Sequence, residues 1–347
     1  MNFCTTKIDL DKPFEEERLP WYSPDQFYPV RIGEILDSSY KVFGKLGYGA
    51  YPTVWLCRSI RDAGFVAIKI CTQDINRSAR FQRELKFYEH VSSLSTMHLC
   101  LVHPPMHMAI RELQYRDSSH RPNKLLLRWT LFNLLNALFF LHDEANVVHT
   151  SINPSNIMLT VEDKSILNDF ERAEREELSL TKVIDNARII YGSRKLRLPS
   201  NSLWGQPALY DFGEARIERS HRGLIQPELY RAPEVSFDIE WSSSVDIWNV
   251  ATLIWDLFEN RHLFNAVDES MESLATHHIA EMVAYLGLPL LEYMQKSEIT
   301  KKVFDEQGRW KGGGGVVVPQ LSLGESVSTL DRESKEQFLN FISSMLH

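Results

Sequence analysis

The sequence predicts an α+β protein with two lobes: a small antiparallel β lobe that carries one helix, and a larger lobe that is mainly α-helical. Short β-rich runs separated by turn residues fill the chain from Tyr40 to about residue 72, which is typical of a meander of strands. A helical pattern with Phe81, Leu85 and Tyr88 follows them. Apolar residues then recur at helical spacing in four longer stretches, 124–142, 243–259, 272–286 and 333–346.

Length and composition restrict the class of protein. The chain has 347 residues, 44% hydrophobic and 24% charged, which fits a soluble protein with one large two-lobed domain or two ordinary domains. Its net charge of −8 argues against direct nucleic-acid binding and is compatible with basic protein partners. The absence of a C-x-x-C pair argues against a zinc site or a disulfide framework, and favours a reducing intracellular location, cytoplasmic or nuclear. The four cysteines are far apart, at Cys4, Cys57, Cys71 and Cys100.

The most apolar run, at residues 125–141, raises the question of a membrane segment. It contains Arg128, Asn133 and Asn136, so a buried helix accounts for it better than a membrane span. The N-terminus lacks the basic-then-apolar pattern of a secretory signal. We therefore expect no membrane partner.

The stretch LGYGAYPTVWL (46–56) has glycines at the spacing of a loop that cradles phosphates, G-x-G-x-x-G-x-V. Gly47, Gly49 and Val54 match this pattern, while Pro52 stands at the third glycine. Taken alone, a glycine-containing hairpin explains the stretch equally well.

The following strand strengthens the phosphate interpretation. VAIK (66–69) is the motif whose lysine grips the α- and β-phosphates of a nucleotide, so we expect Lys69 in that role. Ala67 is small enough for adenine to lie against the sheet. The lysine requires an acidic partner on the next helix, for which Glu84 is preferred and Glu89 is the alternative.

Two further motifs follow in the order expected for phosphoryl transfer. Residues 211–213 read D-F-G and residues 232–234 read A-P-E. Asp211 is expected to hold Mg²⁺ that bridges the phosphates, and Asn156 to contribute to a second metal ion. A second Asp-Phe pair begins at Asp169, but Glu171 occupies the place of the glycine and the pair lies far from A-P-E. Residues 162–206 are therefore predicted to be an insertion, and their charge-rich text favours a solvated elaboration.

Residues 147–159, VVHTSINPSNIML, complete the set. They follow the protein-kinase catalytic loop H-R-D-x-x-x-x-N, with His149 and Asn156 in place. Ser151, however, stands where the catalytic aspartate belongs. Five motifs in the right order predict the two-lobed protein-kinase fold.

The sequence resembles the SR-protein kinases, especially their fungal relatives. The resemblance rests on FYPVRIGEILDSSYKVFGKLGYGAYPTVWL, on H-T-x-I-x-P-x-N, on the insertion before D-F-G and on IQPELYRAPEV, and it covers about residues 20–347. It implies ATP and Mg²⁺ as cofactors and serines of arginine/serine-rich proteins as substrates. We also expect a monomer.

Several positions depart from that family. Asn153 replaces a lysine that steadies the transferring phosphate, and Ser151 replaces the catalytic base, whose loss typically lowers rates about 10²–10⁴-fold. Pro227 occupies the place of a threonine that reaches the aspartate. Thr150 replaces the arginine that usually binds an activation-loop phosphate.

The resemblance also sets domain boundaries. It implies an N-terminal extension at 1–39, a small lobe at 40–105 and a large lobe at 106–347, with too few residues for one strand of the small lobe. The chain stops before the arginine that pairs with the A-P-E glutamate, so Glu234 would lack its partner and the chain would be a shortened product. If LCLVHPPM is the hinge, His103 is the gatekeeper. The expected nucleotide contacts there and in the glycine-rich strand are Pro104, Met106 and Leu46.

These observations leave three alternatives. The chain is an SR-type serine/threonine kinase with full or residual activity, or a pseudokinase that binds Mg-ATP and presents a surface to partners. The third alternative is a shortened product that does not fold stably.

Overall fold

The computed structural model describes residues 12–49, 52–72, 79–91, 100–116, 118, 120–200, 204–265, 274–312 and 315–346. Its strands are β1 Ile35–Leu36, β2 Tyr40–Tyr48, β3 Pro52–Ser59, β4 Phe65–Cys71, β5 Cys100–His103, β6 Met106–Ala109, β7 Val147–Val148, β8 Ile157–Thr160, β9 Thr181–Val183, β10 Ile189–Tyr191, β11 Pro207–Leu209 and β12 Arg216–Ile217. Its helices are α1 Ala79–Val91, α2 Ile110–Arg116, α3 Lys124–Phe139, α4 Ser165–Glu176, α5 Pro233–Ser236, α6 Ser244–Glu259, α7 Leu274–Leu286, α8 Leu291–Met294, α9 Thr300–Val303, α10 Leu323–Ser326 and α11 Arg332–Ser343.

The chain divides into two compact units. The first, which we call the sheet unit, comprises Met1–Gln82, Ser92–Met108 and Leu159–Gln206. The second, the helical unit, comprises Arg83–Val91, Ala109–Met158 and Pro207–His347. The predicted α+β class of a two-lobed protein kinase is confirmed. Two assignments differ from the predicted lobes, because most of α1 belongs to the helical unit and residues 159–206 belong to the sheet unit.

The sheet unit is built on five antiparallel strands in the order β1-β2-β3-β4-β5. Alternating residues of these strands form a core with Val42, Trp55 and Ile68, all less than 5% exposed. Tyr191 of β10 packs edge-on against Trp55, with ring centroids 5.8 Å apart. Among the described residues the sheet ends at β5. The stretch between α1 and β5, which was predicted to be too short for a further strand, includes residues 92–99, which lie outside the described residues.

The segment before the sheet is grouped with the sheet unit and packs against it. A 3₁₀ turn at Glu15–Arg18 places Glu16 against Lys45, a β2 side chain that is 0% exposed. Glu17 accepts a hydrogen bond from Lys182 of β9 at 2.8 Å. Buried charges are stable only when they are paired, so these contacts fix the segment to β2 and β9. Its polar sequence gave no sign of this burial.

The insertion contains α4, and our expectation that it is solvated is wrong for this helix. Phe170 and Leu167 are 4% exposed and pack with Leu56 of β3. Glu171 is buried and lies 2.7 Å from Arg58, so a charge that looked solvated is neutralised inside the unit. Helix α4 is therefore core.

The second Asp-Phe pair is accordingly structural. Asp169 lies on α4 and binds Arg197 at 2.6 Å and Arg172 at 2.5 Å. These arginines lower the pKa of the Asp169 carboxyl group. Phe170 serves the core, as above.

The helical unit is organised around α6, which is buried along almost its whole length. Phe338 of α11 packs on Trp255 and Phe258 of α6, with ring centroids 6.1 and 4.7 Å away. A second core cluster contains Phe237, Ile239, Ile279, Met294, Val303 and Phe304.

Helix α3 was expected to be buried, but it is buried on one side only. Thr130, Leu134 and Leu138 face the interior of the helical unit. Together with the π-helical turn Phe140–Glu144 it forms a stretch of 21 residues that is long and apolar enough to cross a membrane. A core helix of a folded domain passes the same test, and α3 contributes its inner side to such a core.

Candidate functional site

In the sheet unit, three predicted phosphate contacts lie side by side. Gly47 of β2 pairs with Val54 of β3, which pairs with Lys69 of β4. Directly opposed residues of antiparallel strands point to the same face, so the three share one face of the sheet. A Cβ atom added to Gly47 would meet no protein atom within 4 Å, so packing does not require glycine there. The space beside its Cα is therefore open.

The turn between β2 and β3 is closed by a backbone hydrogen bond. The N–H of Gly49 donates to the carbonyl of Pro52 at 2.8 Å. A Cβ atom at Gly49 would lie 3.4 Å from Pro52 Cδ, an ordinary contact. The proline at the third glycine position is therefore accommodated as the first residue of β3.

The predicted adenine contacts are engaged in packing. Ala67 is 1% exposed, and Leu46 packs on the cluster of Leu56, Leu167 and Phe170. The carbonyl of Pro104 lies 2.9 Å from Nδ1 of His103. Burial lowers the pKa of His103, and the charge of Lys69 lowers it further. Met106 begins β6. The hinge roles of His103, Pro104 and Met106 stay predictions.

In the helical unit, Asp246 of α6 holds the catalytic loop. Its carboxylate accepts hydrogen bonds from the N–H groups of His149 and Thr150, both at 2.7 Å, and lies 2.9 Å from Nε2 of His142. Asp246 is 0% exposed. Three donors on one buried carboxylate fix the loop backbone, because a buried charge is costly unless it is hydrogen-bonded.

The loop is also pinned to the D-F-G segment. His149 is fully buried, burial lowers its pKa, and its Nε2 lies 3.1 Å from the carbonyl of Tyr210. Thr150 has φ 65° and donates its hydroxyl to the carbonyl of Glu214 at 2.6 Å. The threonine that replaces arginine thus ties the loop to the residue after D-F-G.

Ser151 occupies the base position and is 9% exposed. Its carbonyl accepts hydrogen bonds from the side-chain amides of Asn153 at 3.0 Å and Asn156 at 2.8 Å. Its hydroxyl accepts from Asn156 at 3.2 Å. Asn153 also accepts from the N–H of Ser155 at 2.9 Å, so it shapes the turn and supplies no positive charge.

Asp211 has φ 65°, a backbone region that short polar side chains tolerate, and accepts a weak hydrogen bond from the N–H of Gly213 at 3.3 Å. Phe212 stacks on Phe87 of α1 with ring centroids 3.9 Å apart. The N–H of Tyr210, next to Asp211, donates to the carbonyl of Asn156 at 2.8 Å. The fold thus brings Asp211 and Asn156 onto adjoining backbone.

These two residues have the donor atoms that a hard cation prefers. The Asn156 amide nitrogen is taken by Ser151, while its oxygen receives no hydrogen bond from the described residues. Asp211 supplies a carboxylate. Among the described residues no cluster of three or more His, Cys, Asp or Glu side chains is placed to hold a metal ion. A metal ion here would therefore need ligands from the nucleotide as well, which fits Mg²⁺ that arrives with phosphate.

On α1, Glu84 is 5% exposed whereas Glu89 is exposed. A buried carboxylate needs a partner, which favours Glu84 for the predicted role. We had not singled out its neighbour Arg83, which donates to the carbonyl of Gly213 at 3.2 Å and pairs with Glu214. The only feature of the sequence that could have indicated this contact is the pair of adjacent charges in R-E-L (83–85).

The A-P-E segment differs from the rest of the site. Glu234 accepts a hydrogen bond from Ser244 at 3.1 Å, and no cation lies within ion-pair distance of it among the described residues. Burial raises its pKa. Pro227 precedes a 3₁₀ turn at Glu228–Tyr230 and offers no hydroxyl group to the loop.

Comparison with known proteins agrees with this geometry. A serine/threonine protein kinase of Aspergillus fumigatus is 38% identical over 365 residues, covering 98% of this chain and 87% of the relative. The serine/threonine-protein kinase SRPK of Physarum polycephalum is 24% identical over 86% of this chain and 78% of its own length. The human dual specificity protein kinase CLK2 is 23% identical over 91% of this chain and 61% of its own length. No protein-family profile matches the chain. The chain belongs to the protein kinase superfamily, among serine/threonine protein kinases of the SRPK and CLK type.

Proposed function

We propose that this chain binds Mg-ATP and transfers phosphate to serines of arginine/serine-rich proteins, at a rate strongly lowered because Ser151 replaces the catalytic aspartate. The surroundings of Ser151 carry this proposal. Asp246 holds the backbone of the catalytic loop by hydrogen bonds, yet the side chain at the position of the catalytic base is a neutral hydroxyl. A neutral serine is a poor acceptor for the proton of a substrate hydroxyl.

The chemistry left to the chain is positioning and charge stabilisation. When bound, Mg-ATP supplies the phosphoryl group. Lys69 would hold its α- and β-phosphates, and Asp211 with the free amide oxygen of Asn156 would hold the metal ion. Asn153 adds no positive charge. These groups support nucleotide binding more strongly than they support turnover.

The substrate class is supported less directly. Two relatives carry the names SRPK and CLK, and the chain has a net charge of −8, which favours encounter with basic proteins. We therefore choose an arginine/serine-rich peptide as the test substrate.

The second candidate function is a pseudokinase that binds Mg-ATP without turnover and acts as a scaffold. It is favoured by the same contrast between an intact loop and a missing base. The two candidates differ in one measurable quantity, phosphate transferred per bound nucleotide.

The first experiment is a thermal melt of the purified chain with and without Mg-ATP. A ligand that binds only the folded state adds about 2.7 kcal/mol of stability at a hundredfold excess over Kd. We expect one cooperative transition that shifts upward, and no shift in Lys69→Met. A cooperative melt that Mg-ATP does not shift would refute nucleotide binding. A melt without cooperativity would indicate that the chain does not fold stably.

Phosphotransfer then separates the two candidates. We expect slow transfer by the natural sequence and a rise of about 10²-fold in kcat for Ser151→Asp. Ser155→Asp is the matched control, because Ser155 is exposed in the same loop and receives the same added charge. Equal rates in both variants would contradict the role assigned to position 151. No transfer by the natural sequence, with normal Mg-ATP binding, would identify a pseudokinase.

A further inference from the structure

Among the described elements, α3 together with the π-helical turn after it carries the largest number of exposed large apolar side chains. We call the surface that they form the outer α3 face and define it by six side chains. Their exposed fractions are Leu125 64%, Trp129 49%, Phe132 70%, Leu135 41%, Phe139 62% and Phe140 53%. Single exposed apolar residues are ordinary on proteins, but a contiguous apolar row on one helix marks an interaction site.

The spacing along this face suits a helical partner. Leu125, Trp129, Phe132 and Phe139 follow each other at intervals of four, three and seven residues, which is the seam of a heptad pattern. Asn136 fills the remaining seam position and is exposed. A single polar residue in such a seam typically specifies register and partner number.

The size of the face is sufficient for a stable contact. Aromatic side chains bury roughly 150–250 Å² each, so the exposed parts of the four aromatic residues offer about 500 Å². Two copies would together bury about 1,000 Å² from these rings alone, which reaches the size from which specific interfaces are stable. The two leucines add to this area.

The charges at the ends of the helix indicate which helix would fit. The first turns carry Lys124 and Arg128, and the last turn carries Asp143 and Glu144. This arrangement opposes the helix dipole, which favours acidic residues at the N-terminus and basic residues at the C-terminus. An antiparallel copy of the same helix would place each basic end beside an acidic end. Arg128 and Glu144 form no described ion pair within the chain.

We propose that the outer α3 face binds the same face of a second copy of this chain, in a two-fold antiparallel helix pair. With Asn136 near the two-fold axis, Arg128 of one copy lies at the same level along the helix pair as Glu144 of the second copy, so the basic end of each helix is beside the acidic end of the other. The exposed face thus opposes the expectation of a monomer. A lipid surface fits less well, because Asn136 lies mid-face and the flanking charges have both signs.

Sedimentation equilibrium of the full chain between 1 and 100 µM tests the proposal. We expect a dimer at the upper concentrations, and for Phe132→Glu a monomer throughout, with Kd raised at least 100-fold. Leu224→Glu is the matched control, since Leu224 is 72% exposed outside α3 and receives the same charge. Unchanged melting temperatures would show that the variants fold.

Charge reversal tests the antiparallel register. Arg128→Glu alone is expected to raise Kd about tenfold by placing acidic side chains together, and adding Glu144→Arg should restore Kd to within about threefold. A monomer at 100 µM overturns the proposal, and sedimentation of that monomer with phosphatidylcholine vesicles would assign the face to lipid. A dimer that Phe132→Glu leaves intact also overturns it, as does failure of the double variant to recover.

Discussion

The dipeptide Asp-Phe occurs twice in the sequence, and the two copies have different roles in the structure. At 169–170 it lies inside α4, where Phe170 is 4% exposed in the core of the sheet unit and Asp169 binds two arginines. At 211–212 the aspartate has φ 65° and Phe212 stacks on Phe87 in the helical unit. The first pair builds a core, and the second presents a carboxylate.

The difference lies in the next residue and in the available partners. Glycine at position 213 leaves the backbone free to turn, whereas Glu171 continues a helix and is paired with Arg58. A carboxylate that already has two guanidinium partners is a poor site for a metal ion. Asp211 is not held by such a pair of guanidinium groups in any described contact, and its carboxylate accepts from the N–H of Gly213 at 3.3 Å.

The largest effect is expected from removal of the buried ring. Phe170→Ala should destabilise the protein by about 3–5 kcal/mol, because it opens a cavity between α4 and Leu56. Phe212→Ala should cost less, about 1–2 kcal/mol, since Phe212 is only half-buried. Urea denaturation followed by tryptophan fluorescence measures both. A larger loss for Phe212→Ala would reverse the assignment of the two pairs.

Substitution of the two aspartates, Asp169 and Asp211, should have different effects on the stabilisation of the protein by Mg-ATP. Asp211→Asn should remove most of the roughly 2.7 kcal/mol that Mg-ATP adds at a hundredfold excess over Kd. Asp169→Asn should leave that gain unchanged, because its side chain is occupied by Arg197 and Arg172. Melts with Mg-ATP and with buffer alone give the comparison. If both variants lost a similar part of the stability that Mg-ATP adds, Asp211 would not be the specific ligand of the metal ion.

A pair of glycines tests the packing of α4 without touching either dipeptide. A Cβ atom at Gly44 would lie 2.9 Å from both Phe170 and Glu174, so Gly44→Ala should cost about 1–3 kcal/mol. Gly47→Ala meets no protein atom within 4 Å and should leave the melt unchanged while it weakens Mg-ATP binding. If Gly44→Ala is neutral, α4 does not pack against β2 as described.

The smallest effect is expected at Glu234. Unlike Asp169, which pairs with two arginines, Glu234 has no arginine within ion-pair distance among the described residues. Burial raises the pKa of Glu234 above its ordinary 4.5, so ionisation lowers stability as the pH rises through the folded value. Glu234→Gln should therefore raise Tm at pH 7.5 by about 1–3 °C, and the gain should vanish near pH 4.5. Calorimetry at both values decides; an equal gain at both would rule out the charge as its cause.

The sequence alone identified the chemistry-bearing motifs, since each depends on neighbouring residues. Asp211, Asn156, Lys69 and the four helix stretches of the larger lobe all lie in local patterns, and the observed helices begin and end within a few residues of the predicted limits. The α+β class followed from the same patterns. The misleading second Asp-Phe pair was rejected for the missing glycine, a local feature as well.

Pairings between distant residues could not be predicted. Glu17 and Lys182 are 165 residues apart, and each looked like an ordinary solvated charge. The same ambiguity hid the burial of Glu171 and the contact between Arg83 and Glu214. The apolar text of α3 likewise indicated a helix but not which side of it would be exposed.

The pairing of Lys45 has a consequence for synthesis. The ammonium group of Lys45 is paired with Glu16 and with the carbonyl of Tyr191. When the ribosome adds Lys45 to the chain, Glu16 has already been translated, but Tyr191 has not. At 5–20 residues per second the ribosome takes roughly 9–35 s to travel from Glu16 to Tyr191. During that interval the nascent sheet lacks α4 and β10, so its inner apolar side chains are open to chaperones. We expect the sheet unit to complete its fold only after residues 159–206 have left the exit tunnel.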